Sequence, residues 1–267
     1  MIKTMSSLKF FKYQGAGNDF IIIDNREMQF TETNPQKIAK LCDRRFGIGA
    51  DGFMLLQNSD IADFEMVYYN ADGNLGSMCG NGGRCMVAFA KKSGVINSST
   101  NFSAVDGMHS ATINDLGDWV SLKMQDVDHI DLDEDAYILN TGSPHYVKIV
   151  SDLEKLNVSY EGALIRNNDT YREEGINVNF AMPENQGYFV RTFERGVEDE
   201  TLACGTGVTA VALAMAKHNQ QTGEIHTPIR ALGGNLMIRF QSDNKLFSNI
   251  FLEGPAKFVF DGTIEIS

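Results

Sequence analysis

The sequence predicts an α+β protein made of two pseudo-symmetric copies of one mixed α/β domain. Three observations predict it: short strand-like segments are many, helical segments are few, and a set of landmarks recurs at nearly one spacing. The strand-like segments are, in order, FIIID (20–24), FEMVYYN (64–70), ATIN (111–114), WVSLKM (119–124), YVKIV (146–150), INVNFAM (176–182), GYFVRTF (187–193), NLMIRFQ (235–241) and NIFLEG (249–254). Several alternate apolar with polar residues, as half-buried strands do. The stretch NPQKIAKLCDRRFG (34–47) reads as a helix. Asn34 caps it, Pro35 suits its first turn, Ile38, Ala39, Leu41 and Cys42 give an apolar stripe, and Gly47 closes it. The other helical segments follow Cys79 and Cys204.

Both of those cysteines stand in the string C-G-x-G, 125 residues apart, and the stretches GNDFIII from Gly17 and GSPHYVK from Gly142 are separated by the same 125. GIGADGF around Gly49 is answered by GINVNFA around Gly175 at nearly that offset. Glycine motifs arise easily by chance, but three in one order at nearly one spacing indicate a duplication. The boundary falls near residues 126–133, giving domains of 1–128 and 129–255. A ligand cleft is expected between the copies, each contributing the start of one helix.

Composition narrows the function. The apolar fraction of 43% and charged fraction of 22% are those of an ordinary globular chain that needs no staples. A net charge of −12 leaves no basic face for neutralising phosphates, so no nucleic-acid partner is expected. An anionic small molecule remains compatible, because a few local donors outweigh a diffuse field. MIKTMSSLKFF lacks the apolar core of a signal peptide, and no apolar run approaches the ~20 residues that span a bilayer. Four cysteines without disulfide-like spacing fit a reducing compartment, so no membrane partner and a cytoplasmic location are expected.

The thiols carry the chemistry. Unsatisfied N–H groups at a helix start hold partial positive charge that favours a thiolate, and bare glycines leave those groups open to a carboxylate. Cys79 and Cys204 each sit at such a start. Two facing units suggest a two-base reaction, in which one thiolate removes an α-proton and the other thiol returns one to the opposite face. The ordinary reading of a cysteine is a small buried apolar residue, and it suits Cys42 on its helix stripe and Cys85 inside the next helix.

The chain resembles the diaminopimelate epimerase family over almost its whole length. The resemblance rests on YQGAGNDFIIID, LCDRRFGIGADG, YYNADGNLGSMCGNGGRC, NTGSPHYV, GINVNF, RTFERGVEDETLACGTG and EGPAKFVFDG. It implies two α/β domains, each a mostly antiparallel sheet wrapped around a central helix, with the final strand (about 256–267) returning to the first domain. It implies epimerisation of LL-2,6-diaminopimelate to the meso isomer, for lysine and peptidoglycan precursors, without pyridoxal or any other cofactor and without a metal. It also implies a homodimer that uses the region of the final strand.

Carried across residue by residue, the resemblance makes Cys79 and Cys204 the acid–base pair, Cys79 donating and Cys204 accepting in the LL-to-meso direction. Gly80, Asn81, Gly205 and Thr206 match the helix-start groups that hold the reacting carboxylate. His145 and Glu194 match positions flanking the thiols, where they tune ionisation or hold the reacting amine. Asn18, Asn70, Asn177 and Arg195 match substrate-binding positions, most of them at the non-reacting end of the substrate. There, Glu194 and Arg195 offer one charge of each sign, and Asn70 and Asn177 add amide hydrogen bonds. Taken singly, Glu194–Arg195 reads as a solvated surface pair, His145 as a structural histidine beside Pro144, and Asn18 as a strand-entry turn. Two positions depart from the family. Ser143 stands where many members have a substrate-binding asparagine, and Gly52 stands where some have a glutamine. Ser143 remains a candidate with shorter reach, and Gly52 does not.

Rival readings have less support. A proline- or hydroxyproline-directed racemase of the same fold has no use for ERGVEDET or Asn177, because those substrates lack a second amino-acid end. A redox or metal-binding protein lacks its signature here, since there is no CxxC and the five histidines do not cluster with cysteines. A non-catalytic binding module has no need of two matched thiols.

Overall fold

The structure is a computed structural model, and it describes residues 6–243 and 245–266. The chain divides into two compact units, one formed by the chain up to Leu122 together with Pro255 onward, the other by Lys123–Gly254.

In the first unit the strands are β1 (Ser6–Gly15), β2 (Asn18–Asp24), β3 (Gly52–Gln57), β4 (Phe64–Asn70), β5 (Ser99–Ala104), β6 (Gly107–Ile113), β7 (Trp119–Lys123) and, from the C-terminal end, the strand Lys257–Ile266, which is β17 in chain order. They hydrogen-bond in the order β17-β1-β2-β3-β4-β5-β6-β7, parallel at β2–β3 and β4–β5 and antiparallel elsewhere. Helix α1 (Pro35–Cys42) bridges β2 and β3, and α2 (Gly80–Lys92) bridges β4 and β5. Parallel neighbours need such crossovers.

Strand β2 reads NDFIIID because both its faces are covered. Ile21 and Ile23 pack with Ile38, Leu41 and Cys42 of α1. On the other side lies α2, whose residues Gly80 to Ala90 are all buried. A helix buried all round is the centre of its domain. Helix α1 starts as its sequence indicates, with the Asn34 side chain accepting from the Gln36 N–H. It ends at Asp43 rather than at Gly47, because the Gly47 N–H bonds to the Asp43 carbonyl in a separate turn that folds back on the helix end.

The second unit repeats this plan. Its strands are β8 (Ile130–Asp133), β9 (Ala136–Asn140), β10 (Pro144–Ile149), β11 (Asn177–Pro183), β12 (Tyr188–Glu194), β13 (Asp199–Thr201), β14 (Gly223–Ala231), β15 (Gly234–Ser242) and β16 (Phe247–Pro255). The order is β8-β9-β10-β11-β12-β14-β15-β16, parallel at β10–β11 and β12–β14, with β13 as an extra pairing on β12. Helix α3 (Val158–Arg166) bridges β10 and β11, and α4 (Gly205–His218) bridges β12 and β14. Its apolar residues, from Val208 to Ala216, are buried on every face. Strand for strand, both sheets have the same order and sense. Besides β13, the units differ at the edge strand, which β17 supplies from the C-terminal part of the chain in the first unit and β8 supplies locally in the second.

Candidate functional site

Cys79 and Cys204 occupy the same place in the two units, the N-cap of the central helix. Their backbones agree, with φ −92° and ψ 133° at Cys79 and φ −104° and ψ 112° at Cys204. This position ordinarily belongs to Ser, Thr, Asp or Asn, whose oxygen closes the helix end. Neither sulfur caps its helix. The first intrahelical bonds run from Gly83 N–H to Cys79 O (2.7 Å) and from Val208 N–H to Cys204 O (2.9 Å), so the N–H groups of Gly80, Asn81, Gly205 and Thr206 precede the hydrogen-bond ladder. Cys204 is itself buried and Cys79 half-buried. Cys42 and Cys85, which open no helix, are buried too, and that burial pushes each of these two thiols up to about 12.

In the first unit a polar chain reaches the start of α2. Asn18, at the head of β2, donates to Asp51 (3.0 Å) and accepts from Asn81 Nδ2 (2.6 Å). Asn81 Oδ1 in turn accepts from Arg84 Nη2 (2.8 Å), and Arg84 Nη1 donates to Gly80 O (3.2 Å). The Arg84 side chain is fully buried and its Nε has no partner among the described residues. Burial depresses its pKa, and the Cys85 and Cys79 sulfurs counter that. The far end of the chain is anchored by ions. Burial alone would raise Asp19, but hydrogen bonds from Arg44 and Lys12 outweigh it and hold the carboxyl well below its usual range. Asn70 lies apart from this chain, exposed at the end of β4 and paired with Gly52 of β3.

In the second unit the ends of β10, β11 and β12 bring Ser143, Asn177, Glu194 and Arg195 together. Asn177 Nδ2 donates to Ser143 Oγ (2.8 Å) and Pro144 O (3.1 Å), while its Oδ1 accepts from the Arg195 N–H (2.9 Å). Arg195 is exposed, and its guanidinium donates to Glu174 O (3.0 Å) and Ser143 Oγ (3.3 Å). Gly175 makes room for that arm, since a Cβ there would meet Arg195 Cδ at 2.6 Å and its φ of +75° suits glycine. The Glu194 carboxylate accepts from the Thr201 hydroxyl of β13. Thr206 Oγ1 lies 3.5 Å from Cys204 Sγ, and its carbonyl accepts from Thr141 Oγ1 (2.9 Å).

His145 is fully buried. Burial first, and the nearby Arg195 charge second, push it down to about 3, so the ring is neutral at ordinary pH. Its Nδ1 lies 3.1 Å from Asn179 Nδ2. Arg84, Asn179, Thr192, Thr201 and Asp51 were not singled out from the sequence. One signal was present for Asn179. Asn177 and Asn179 share one face of a strand whose other residues are apolar, and a buried amide there needs partners. Among the described residues no group of three or more His, Cys, Asp or Glu is placed to hold a metal ion. None of the described helices is long and apolar enough to cross a membrane.

Comparisons with known proteins bear on the family and the fold. The family model described as diaminopimelate epimerase matches residues 10–130 and 137–259, one segment for each repeat. The diaminopimelate epimerase of Flavobacterium psychrophilum is 53% identical over 96% of this chain and 100% of its own length. Among solved structures, a Bacillus anthracis phenazine biosynthesis protein of the PhzF family has a TM-score of 0.75 at 17% identity, covering 98% of this chain and 100% of its own. A hydroxyproline epimerase from Agrobacterium vitis has a TM-score of 0.71 at 13% identity, covering 97% of this chain and 93% of its own. These two structures share the fold alone. With the family match spanning both halves and a relative above half identity end to end, the chain belongs to the diaminopimelate epimerase family.

Proposed function

We propose that this protein interconverts LL- and meso-2,6-diaminopimelate, with Cys79 and Cys204 exchanging protons on opposite faces of one α-carbon. The observation that carries the reading is the duplication of one device. Each unit ends the same strand, opens the same buried helix, and places a cysteine at its N-cap followed by glycine. A helix start stabilises both a thiolate and a bound carboxylate, and an α-proton next to a carboxylate is too weakly acidic to leave without close positioning and oriented dipoles.

The roles follow from the groups available. Gly80, Asn81, Gly205 and Thr206 offer N–H donors to the reacting carboxylate, and His145 and Glu194 flank the reacting centre. Arg195, Ser143 and Asn177 hold the second carboxylate and ammonium, assisted by Asn18 and Asn70. Ser143 already shares its hydroxyl with Asn177 and Arg195, which supports its place in this group despite its short reach. The reaction needs no cofactor in this scheme, because the thiols supply both proton transfers. The protein works as a homodimer in the cytoplasm. Phe258, Val259 and Phe260 are exposed in a row on β17, which supports the dimer, and four cysteines without disulfide-like spacing support the reducing compartment. Its acidic charge of −12 argues against nucleic acid as a partner.

The test is incubation with LL-diaminopimelate in deuterated water. The expected result is the meso isomer with deuterium at the inverted α-carbon. Turnover of proline in its place, or inversion without solvent deuterium, overturns the reading.

A further inference from the structure

We propose that Asn179 and Thr192 are positioning residues that hold His145 as a neutral imidazole with its proton on Nε2. The inference rests on the function proposed above for what His145 serves, and on geometry for how it is held.

The hydrogen-bond directions are fixed by the groups that have no choice. The Tyr146 carbonyl accepts from Asn179 Nδ2 at 3.0 Å, and a carbonyl takes only a donor. That assigns the amide's nitrogen end. The same nitrogen lies 3.1 Å from His145 Nδ1 and, at the longer distance of 3.5 Å, from the Asn177 carbonyl; an amide nitrogen can only donate to the ring, so Nδ1 is the acceptor and the ring proton resides on Nε2. At the other end, Thr192 Oγ1 donates to Asn179 Oδ1 at 2.9 Å. Turning the amide over would set its oxygen against the Tyr146 carbonyl. All three side chains are buried, His145 and Asn179 at 0% and Thr192 at 3% exposure, so water does not compete. Protonating Nδ1 would place its hydrogen against the amide N–H.

The fold does not require this arrangement. At the corresponding register of the first unit, β2, β3 and β4 carry Phe20, Met54 and Tyr68, where β10, β11 and β12 carry His145, Asn179 and Thr192. The same packing site is thus filled by an aromatic ring, a thioether and a phenol in one copy and by a polar chain in the other. The chain leaves one group over. His145 Nε2 is buried with no partner among the described residues, and an orphaned buried donor carries the cost of its lost hydration. A bound substrate or thiolate removes that cost. His145 then serves as a fixed neutral donor and does not act as a third acid–base group beside the thiols.

The test reads the ring directly. Protein labelled with 15N in histidine, without substrate, is examined by long-range proton–nitrogen NMR at neutral pH, with His145→Gln identifying the His145 signals. The expected wild-type spectrum is a single neutral Nε2–H tautomer. Asn179→Asp should move the proton to Nδ1 or yield the imidazolium. Thr192→Val, which keeps the shape and removes the donor, should give mixed tautomers and lower kcat about ten-fold or more with KM little changed, and Thr192→Ser should restore both. A wild-type ring protonated on Nδ1 overturns the proposal. So does a Thr192→Val protein that folds, keeps the single Nε2–H tautomer and turns over like the wild type. The tautomer is measured on the resting protein, so absence of diaminopimelate turnover would refute the function while leaving this assignment standing.

Discussion

Gly207→Ala and Gly82→Ala make the same change at equivalent helix positions, and the structure predicts opposite outcomes. A Cβ on Gly207 would press on Asn179 Oδ1 far inside the 3.0 Å that real Cβ atoms respect, and would stand 3.1 Å from Cys204 Cβ and 3.3 Å from its sulfur. A Cβ on Gly82 meets only Met54 Sδ at 3.3 Å and Phe20 Cε1 at 3.4 Å, and a thioether adapts easily. Overpacking costs about 1–3 kcal/mol, and displacing Asn179 from Thr192 adds about 1 kcal/mol for the hydrogen bond. Replacing glycine in a helix returns at most about 1 kcal/mol. Gly207→Ala should therefore be about 1–3 kcal/mol less stable, while Gly82→Ala stays within about 1 kcal/mol of the wild type. Activity should separate them further, because moving a reacting group by about an ångström lowers a rate on the order of a hundred-fold. Denaturant unfolding of both variants and an epimerisation assay in deuterated water check the two statements. Equal stability and equal activity would refute the argument that the Cys204 helix start is closed to any side chain.

Three further outcomes are expected. Cys79→Ala and Cys204→Ala should each abolish epimerisation, whereas Cys42→Ala and Cys85→Ala, which empty buried apolar sites, should keep it; substantial turnover in either of the first pair rules out the two-thiol scheme. Arg195→Ala should cost about 1.5–3 kcal/mol in kcat/KM, as for a hydrogen bond to a charged group, and Arg195→Lys should recover little of it because a point charge cannot form the fork; near-normal kinetics in the alanine variant would remove Arg195 from the substrate site. The buried His145 ring links stability to acid: its folded pKa of about 3 lies below the ordinary 6.5, so its contribution is complete above 6.5 and is lost as pH falls from 6.5 towards 3. Unfolding free energy measured across that interval should fall more steeply, by a few kcal/mol, for the wild type than for His145→Gln; parallel curves would show that His145 does not titrate between the two states.

The parts of this protein legible in its sequence are those encoded locally. Strand β2 carries an unbroken apolar run because both its faces are covered, β4, β11 and β12 carry β-branched and aromatic residues interrupted by polar ones, and α1 carries its cap and first-turn proline. Helix α3 escaped notice because only Val158 and Gly162 of its residues are buried, so VSYEGALIR shows no stripe. Strand β1 was hidden by Lys12, an apparent surface residue that is 6% exposed and bonded to Asp19 from the neighbouring strand. The thiols stood out because glycines flank them. Their surroundings did not, since the partners of the buried polar groups lie far away in sequence. Asn179 reaches His145 across 34 positions, and Asn18 reaches Asn81 across 63.

Those surroundings are where the two copies part company. The duplicated topology preserves what each half needs to present a cysteine at a helix start, and that much is symmetric. A two-base reaction is not symmetric at any instant, because one sulfur must lack a proton while the other holds one. Two identical environments would leave that choice undecided, whereas unlike environments bias it. Here α2 buries Arg84 beside its start, while the corresponding residue of α4, Thr209, returns its hydroxyl to the Gly205 carbonyl (2.9 Å). The first unit sets Phe20, Met54 and Tyr68 where the second sets His145, Asn179 and Thr192. Each difference replaces an apolar or neutral group by a charged or hydrogen-bonding one without altering the strand order. Divergence thus includes side chains around the helix starts, as expected if the unlike linings bias which of the two thiols rests deprotonated.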